Sequence, residues 1–238
     1  MPELPEVETT IRYLTSKVKG KKIISISKSQ KKLRKNLNFK DLESISQRKI
    51  ISVKRFAKYI VIRLDNDNYL IIHLGMSGRL KFYLNEDYKK EKHDHVVLQF
   101  DKFKIVFNDP RRFGMFFRLE DINEVEIFFN NYGTDLLVNK IKIKEIYNKF
   151  ISKKVSLKQA LLNQSLIVGI GNIYANEALF HSRLSPLRLT NSLNLAELTQ
   201  LISSCKFVLK LSLKNGGSSI NDYKSPDGTL GSLSLIHI

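Results

Sequence analysis

Met1-Pro2-Glu3-Leu4-Pro5-Glu6-Val7-Glu8-Thr9-Thr10 puts two prolines and three carboxylates at the head of an otherwise basic chain. Removal of Met1, whose neighbour has a small ring, would leave Pro2 as the N-terminus with a free secondary amine. Such an amine adds to an aldehyde-like carbon and gives a cationic iminium. Its pKa starts at roughly 8, so a good fraction is neutral and nucleophilic near pH 7. Glu3 stands beside it and can move protons for it. The same residues also read as a stiff leader, with Glu3, Glu6 and Glu8 at the start of a helix where negative charge suits the dipole.

Outward from this stretch, Glu6 to about Lys19 has the spacing of a helix closed by Gly20. Lys22–Ser29 alternates as a half-buried strand does, and 31–40 is a basic loop. Strands follow at Ile51–Phe56, Tyr59–Leu64, Tyr69–Leu74 and Arg79–Leu84, with Asp65-Asn66-Asp67-Asn68 as a turn. His95–Phe100 and Phe103–Phe107 make a further pair, with Val96, Leu98 and Phe100 on one face. Beyond Gly133 the spacing turns helical over Ile141–Phe150, Leu157–Leu162 and Ala175–Leu179. Asn194 and Glu197 form a capping-box pattern ahead of a Leu198, Ile202, Cys205, Leu209 stripe. The expectation is an α+β chain: an antiparallel β-sandwich with a flanking helix over 1–132, then a helical domain over 133–238.

The 238 residues suffice for one large domain or two small ones. No apolar run is long enough to span a membrane. Cys205 is the sole cysteine, so disulfides and thiolate zinc sites within the chain are excluded; its place on the helical stripe marks it as core. A net charge of +17 calls for a polyanionic partner, nucleic acid first. Lysine runs such as Lys21-Lys22 and Lys31-Lys32 also fit a solvated face.

Four further strings carry chemistry, each with a plain reading beside it. Arg55-Phe56-Ala57-Lys58-Tyr59 sets Lys58 at the mouth of an apolar strand, where a lysine often just blunts the sheet edge. His73-Leu74-Gly75-Met76-Ser77-Gly78 brackets a methionine with glycines, either a tight hairpin or a wedge for a vacated base stack. Asp109-Pro110-Arg111-Arg112-Phe113-Gly114 offers arginines for an orphaned base and a ring to stack beside it, or a turn with salt-bridged arginines. In Val168-Gly169-Ile170-Gly171-Asn172-Ile173-Tyr174-Ala175 a glycine turn opens a helix and aims N–H groups at an anion, with Asn172 as cap. Lys92-His93-Asp94-His95 would set two histidines on one strand face, but no further ligand set accompanies them, so a metal reading is rejected.

Taken together, Pro-Glu-Leu-Pro-Glu-Val-Glu-Thr and these strings resemble the bacterial formamidopyrimidine-DNA glycosylases, over almost the whole chain from Pro2 to about Gly231. The resemblance implies Pro2 as the nucleophile at C1′, Glu3 as general acid, and Lys58 in contact with lesion and phosphate. It implies Glu6 near the extruded base, and Met76, Arg111 and Phe113 filling the gap, with Arg112 alongside. It places His93 near the DNA backbone, Lys158 and Asn172 on flanking phosphates, and Tyr174 close by, in a helix–two-turns–helix module. A loop over 216–228 would cover the oxidised purine. The implied function is a bifunctional glycosylase and apurinic/apyrimidinic lyase of base excision repair. Its substrates would be 8-oxoguanine and formamidopyrimidines in duplex DNA, and it would act as a cytoplasmic monomer without membrane contact. The family typically continues into a Cys-x-x-Cys … Cys-x-x-Cys zinc hairpin. Here no cysteine follows Cys205 and the chain ends Ser232-Leu233-Ser234-Leu235-Ile236-His237-Ile238. The expectation is therefore a truncated clamp with no cofactor, weakened binding and little turnover. Two competing readings are a damaged-DNA-binding protein without turnover and an oxidised-pyrimidine glycosylase of the endonuclease VIII kind; Leu4 and the Asp109–Gly114 string argue against the second.

Overall fold

Period-two burial builds the first half of the molecule. The computed structural model describes residues 1–138 and 140–217. Of the expected covering loop, the part from Ser218 onward lies outside the described residues, as does the 232–238 tail. Strands β1 (Ser25–Lys28), β6 (Asp94–Gln99), β7 (Phe103–Asn108) and β5 (Arg79–Leu84) form one four-stranded sheet in that order. Strands β2 (Ile50–Phe56), β3 (Tyr59–Leu64), β4 (Tyr69–His73) and β8 (Met115–Leu119) form the other. Every pairing in both is antiparallel. Ile60, Ile62, Leu70, Ile72 and Phe116 of the second sheet meet Leu80, Val96, Leu98, Ile105 and Phe107 of the first in a common core. The expected sandwich is present.

The second sheet is covered on its other face as well. Tyr59, Ile71 and Phe117, one residue out of phase with the inner set, pack against Val125 and Phe129 of helix α3 (Ile122–Phe129). Strand β8, helix α3 and the short helix α2 (Phe39–Ile45) were not anticipated from sequence. Met115-Phe116-Phe117-Arg118-Leu119 lacks alternation because both its faces are buried, which hides a strand from a period-two test.

Helix α1 (Leu4–Val18) ties the halves together. Val7, Ile11, Leu14 and Val18 enter the sandwich core, while Leu4 enters the core of the second half. That second core is made by α4 (Ile143–Ile151), α5 (Leu157–Leu162), α6 (Asn172–His181) and α7 (Leu195–Lys214). Cys205 sits within it with its thiol pushed up to about 12 by burial, as the stripe implied for a packing residue. Strands β9 (Thr134–Asp135) and β10 (Ile167–Val168) add a short parallel pair. No helix among the described residues is long and apolar enough to cross a membrane.

Candidate active site and DNA-reading surface

The glycine-rich turn before α6 does receive an anion, and that anion is Glu3 of the chain itself. The Glu3 carboxylate accepts the backbone N–H of Gly171 at 2.5 Å and of Ile173 at 2.9 Å. It thereby takes the capping role that sequence gave to Asn172. Gly171 is the N-cap, and Asn172 is an exposed first-turn residue lining a cavity with Lys58. Two glycines make this approach possible. A Cβ on Gly171 would fall 2.5 Å from the Glu3 carboxyl carbon, and one on Gly169 would fall 2.5 Å from a Leu4 methyl. The Gly169 carbonyl also accepts the Leu4 N–H at 3.0 Å.

Behind Glu3 stands Glu6, whose carboxylate accepts the Glu3 N–H at 2.9 Å and the Tyr174 hydroxyl at 2.5 Å. Tyr174 is fully buried and also bonded to Ser212 of α7. The resemblance puts Tyr174 close to the residues on the flanking phosphates; in the fold its hydroxyl fixes Glu6 from the interior. Burial raises the Glu3 carboxyl to about 7, against the pull of the Lys58 ammonium and the two N–H donors. Burial likewise lowers Lys58, against Glu3 and Glu6. Two groups shifted in opposite directions by burial thus share one confined place, a usual property of proton-transfer sites.

Lys58 reaches this place from the β2–β3 turn, where Ala57 adopts φ 51°. Arg55 holds the turn: its guanidinium donates to the Ala57 carbonyl at 3.1 Å and pairs with Glu8 of α1 at 3.0 Å and Asp135 of β9 at 2.8 Å. No local sequence signal marks Arg55, because its partners lie 47 and 80 positions away. A cavity of about 280 Å³ opens onto Lys58, lined also by Met1, His73, Gln164, Gly171 and Asn172. His73 was likewise missed. Its Nδ1 accepts the Gly75 N–H at 3.1 Å, so its ring proton sits on Nε2, and burial beside Lys58 and Arg34 depresses it to about 4.

Met1 and His73 also line a second cavity of about 690 Å³, where Met76, Arg111, Arg112 and Phe113 come together. Met76 is 37% exposed and Phe113 49%, so both apolar tips face solvent. Arg111 lies over the Phe113 ring at 5.2 Å. Two interlocked turns present them. Gly75, at φ 64°, passes so near Phe113 that a Cβ would approach its carbonyl carbon to 2.6 Å. Asp109, fully buried, accepts the Ser77 hydroxyl at 2.6 Å and the Gly114 N–H at 2.8 Å, while its carbonyl accepts from His95 Nε2 at 2.9 Å. Asp109→Ala strands the Ser77 hydroxyl and the Gly114 N–H and is expected to lower the unfolding free energy by about 3 kcal/mol. A urea midpoint unchanged in this variant would show the carboxylate to be dispensable.

The two histidines expected on one face separate. His95 is buried in β6 against Ser29 and Asp109, whereas His93 precedes the strand, half-exposed, its carbonyl accepting the Asp109 N–H. A bulge between Asp94 and Val96 breaks the simple alternation. Lys158, half-exposed on α5, donates its backbone N–H to Pro186 and lies apart from both cavities. Size is no guide to the chemistry: a cavity of about 960 Å³ between α6 and α7 contains none of these groups.

Comparison with known sequences fits this geometry. A family model of the formamidopyrimidine-DNA glycosylase N-terminal domain matches residues 1–116, and one of the formamidopyrimidine-DNA glycosylase H2TH domain matches residues 132–224. The chain belongs to the formamidopyrimidine-DNA glycosylase family. Its formamidopyrimidine-DNA glycosylase relatives include that of Wolbachia from Brugia malayi, 40% identical over 97% of this chain and 85% of the relative. The Zymomonas mobilis protein is 41% identical with the same coverage. Among solved structures, wild-type Lactococcus lactis Fpg bound to N7-benzyl-Fapy-dG-containing DNA superposes with a TM-score of 0.89 at 31% identity, over 97% of this chain and 85% of that one. The same protein with abasic-site DNA gives 0.88 at 30%, over 97% and 84%. As for the family's zinc, this chain's single cysteine lies in the helical core, and no cluster of three or more His, Cys, Asp or Glu suited to a metal occurs among the described residues. The residues present do not fit a thiolate zinc site.

Proposed function

We propose that this protein is a DNA glycosylase of base excision repair that also acts as a lyase, removing oxidised purines such as 8-oxoguanine and formamidopyrimidines from duplex DNA. The observation that carries this reading is the Glu3 carboxyl, raised to about 7 and fixed by two backbone donors immediately after Pro2. Met1 lines both cavities, so its excision would expose the Pro2 amine where they adjoin.

The chemistry then balances with this chain's own groups. The neutral Pro2 nitrogen forms a bond to C1′ of the extruded nucleotide, and the bond from C1′ to the base breaks. The departing base takes up the proton that the added nitrogen sheds, Glu3 gives its proton to the ring oxygen as the C1′–O bond opens, and a cationic iminium remains beside the new carboxylate. Loss of a C2′ proton expels the 3′ phosphate, and a second elimination expels the 5′ phosphate. Water finally releases Pro2. Lys58 supplies positive charge where the phosphate flanking the lesion would sit, and the neutral His73, lining both cavities, can donate from Nε2.

Met76, Phe113 and Arg111 occupy the space left by the flipped nucleotide, the first two as wedges and the arginine toward the orphan cytosine. The sandwich half and the helical half act as two jaws, and the net charge of +17 supplies the sequence-independent affinity. The protein works as a monomer in the cytoplasm. Borohydride should trap a covalent complex of the Met1-cleaved protein with a duplex containing 8-oxoguanine. No adduct, in material whose mass confirms the cleavage, would overturn the covalent scheme.

A further inference from the structure

The basic loop between β1 and α2 divides its cations into two groups. Lys28 donates to the Leu37 carbonyl at 2.9 Å, and Lys35 lies 3.8 Å from the centre of the Phe117 ring, so both are used internally. Lys32 and Arg34 are exposed, and their side chains make no hydrogen bond or ion pair among the described residues. The loop that carries them is nevertheless well anchored. Leu33 and Leu37 are buried in the sandwich core, the Arg34 N–H donates to Gly114 at 3.1 Å, and the Lys35 carbonyl accepts from Phe116 at 2.9 Å. Their backbone is thus fastened to the turn that ends the Asp109–Gly114 string.

Lys32 and Arg34 form one wall of the 690 Å³ cavity whose other walls hold Arg111, Arg112 and His73. No carboxylate lines it. Four cations facing one water-filled space without a counter-charge repel each other and are relieved by a polyanion. Arg34 is also near enough to His73 for its charge to oppose protonation of the imidazole.

We propose that Lys32 and Arg34 are a further phosphate-binding site, gripping a backbone phosphodiester of the duplex next to the one that Lys58 and His73 face. This deepens the DNA-binding part of the proposed function and rests on it. The loop becomes a rigid third element of the clamp, set by its backbone before DNA arrives, so little conformational entropy is lost on engagement.

The test is the salt dependence of binding to a lesion-containing duplex. Each phosphate contact contributes a slope of about 0.9 in log K against log salt. R34Q is expected to reduce the slope by about that amount and to weaken binding by about five- to tenfold near 0.1 M salt. R34K should retain the slope, and the double variant K32Q/R34Q, which strips both cations from the same phosphodiester, should lose about the same single contact. K102Q serves as the control: Lys102 precedes β7, while the reading turn follows it, roughly 17 Å away at the other end of the strand. A neutral methylphosphonate at the contacted linkage should weaken the wild-type protein but not R34Q. Equal slopes for wild type, R34Q and K32Q/R34Q would overturn the proposal even if the wild-type protein is trapped by borohydride. Absent wild-type trapping would instead refute the covalent function, and the slopes would still report on the phosphate site.

Discussion

Pro2→Gly is expected to reduce borohydride-trapped complex by about a hundredfold or more while changing DNA affinity by less than about threefold. Glycine also offers a terminal amine after Met1 removal, so the variant does not delete the nucleophile. It deletes the ring that fixes it. Pro2 is buried, next in the chain to the Glu3 that Gly171 holds, and its closed ring leaves the nitrogen lone pair one narrow range of directions. A misplacement of about 1 Å in a reacting group costs on the order of a hundredfold in rate. In the proposed scheme affinity rests on Lys58 and the cations around the second cavity, and is expected to survive. Single-turnover trapping alongside a binding isotherm separates the two quantities, and parallel losses in both would contradict a covalent role for this residue.

Glu3→Gln should slow base release by about a hundred- to ten-thousandfold, the usual contribution of a positioned general acid. The wild-type pH profile gives an independent readout. A carboxyl at its ordinary value of 4.5 would be protonated only to about 0.3% at pH 7, whereas one raised to about 7 is half protonated there. Because the folded value is raised, the acid form is complete below about pH 6 and is lost as pH climbs through 7. The rate should therefore carry a falling limb centred near 7, opposed by a rising limb as the terminal amine loses its proton. In Glu3→Gln the falling limb disappears along with most of the rate. A variant that is slow yet keeps that limb would mean that another group supplies the proton.

Much of this arrangement could be read before the fold was known. Tyr59–Leu64 and Arg79–Leu84 are strands to the residue, since their alternation reflects one buried and one partly open face. The Gly20 stop and the Asn194–Glu197 box likewise mark true helix ends. Legibility failed where burial was two-sided, as in Met115–Leu119. It failed again where a group acts over a long chain separation. The pattern Gly169-Ile170-Gly171 announced an anion at a helix start, and nothing local said that the anion would be Glu3, 168 positions earlier. The bond from Tyr174 to Ser212 was hidden too, because helical spacing alone does not reveal which face meets α7. Arg55, Asp109 and His73 were quoted within motifs, yet their positioning roles depend on partners brought near only by folding.

The bonds from Glu3 to Gly171 and from Glu6 through Tyr174 to Ser212 have a consequence for biosynthesis. The acid that the reaction needs is held by the first helical turn to leave the ribosome, but its environment is completed by one of the last described helices. A nascent chain, or one cut anywhere between the jaws and parted, holds the amine and the carboxyl without the surroundings that keep the latter protonated. On the proposed scheme, reactivity toward deoxyribose is expected only once synthesis has passed Ser212, so that unfinished chains would not cross-link themselves to DNA.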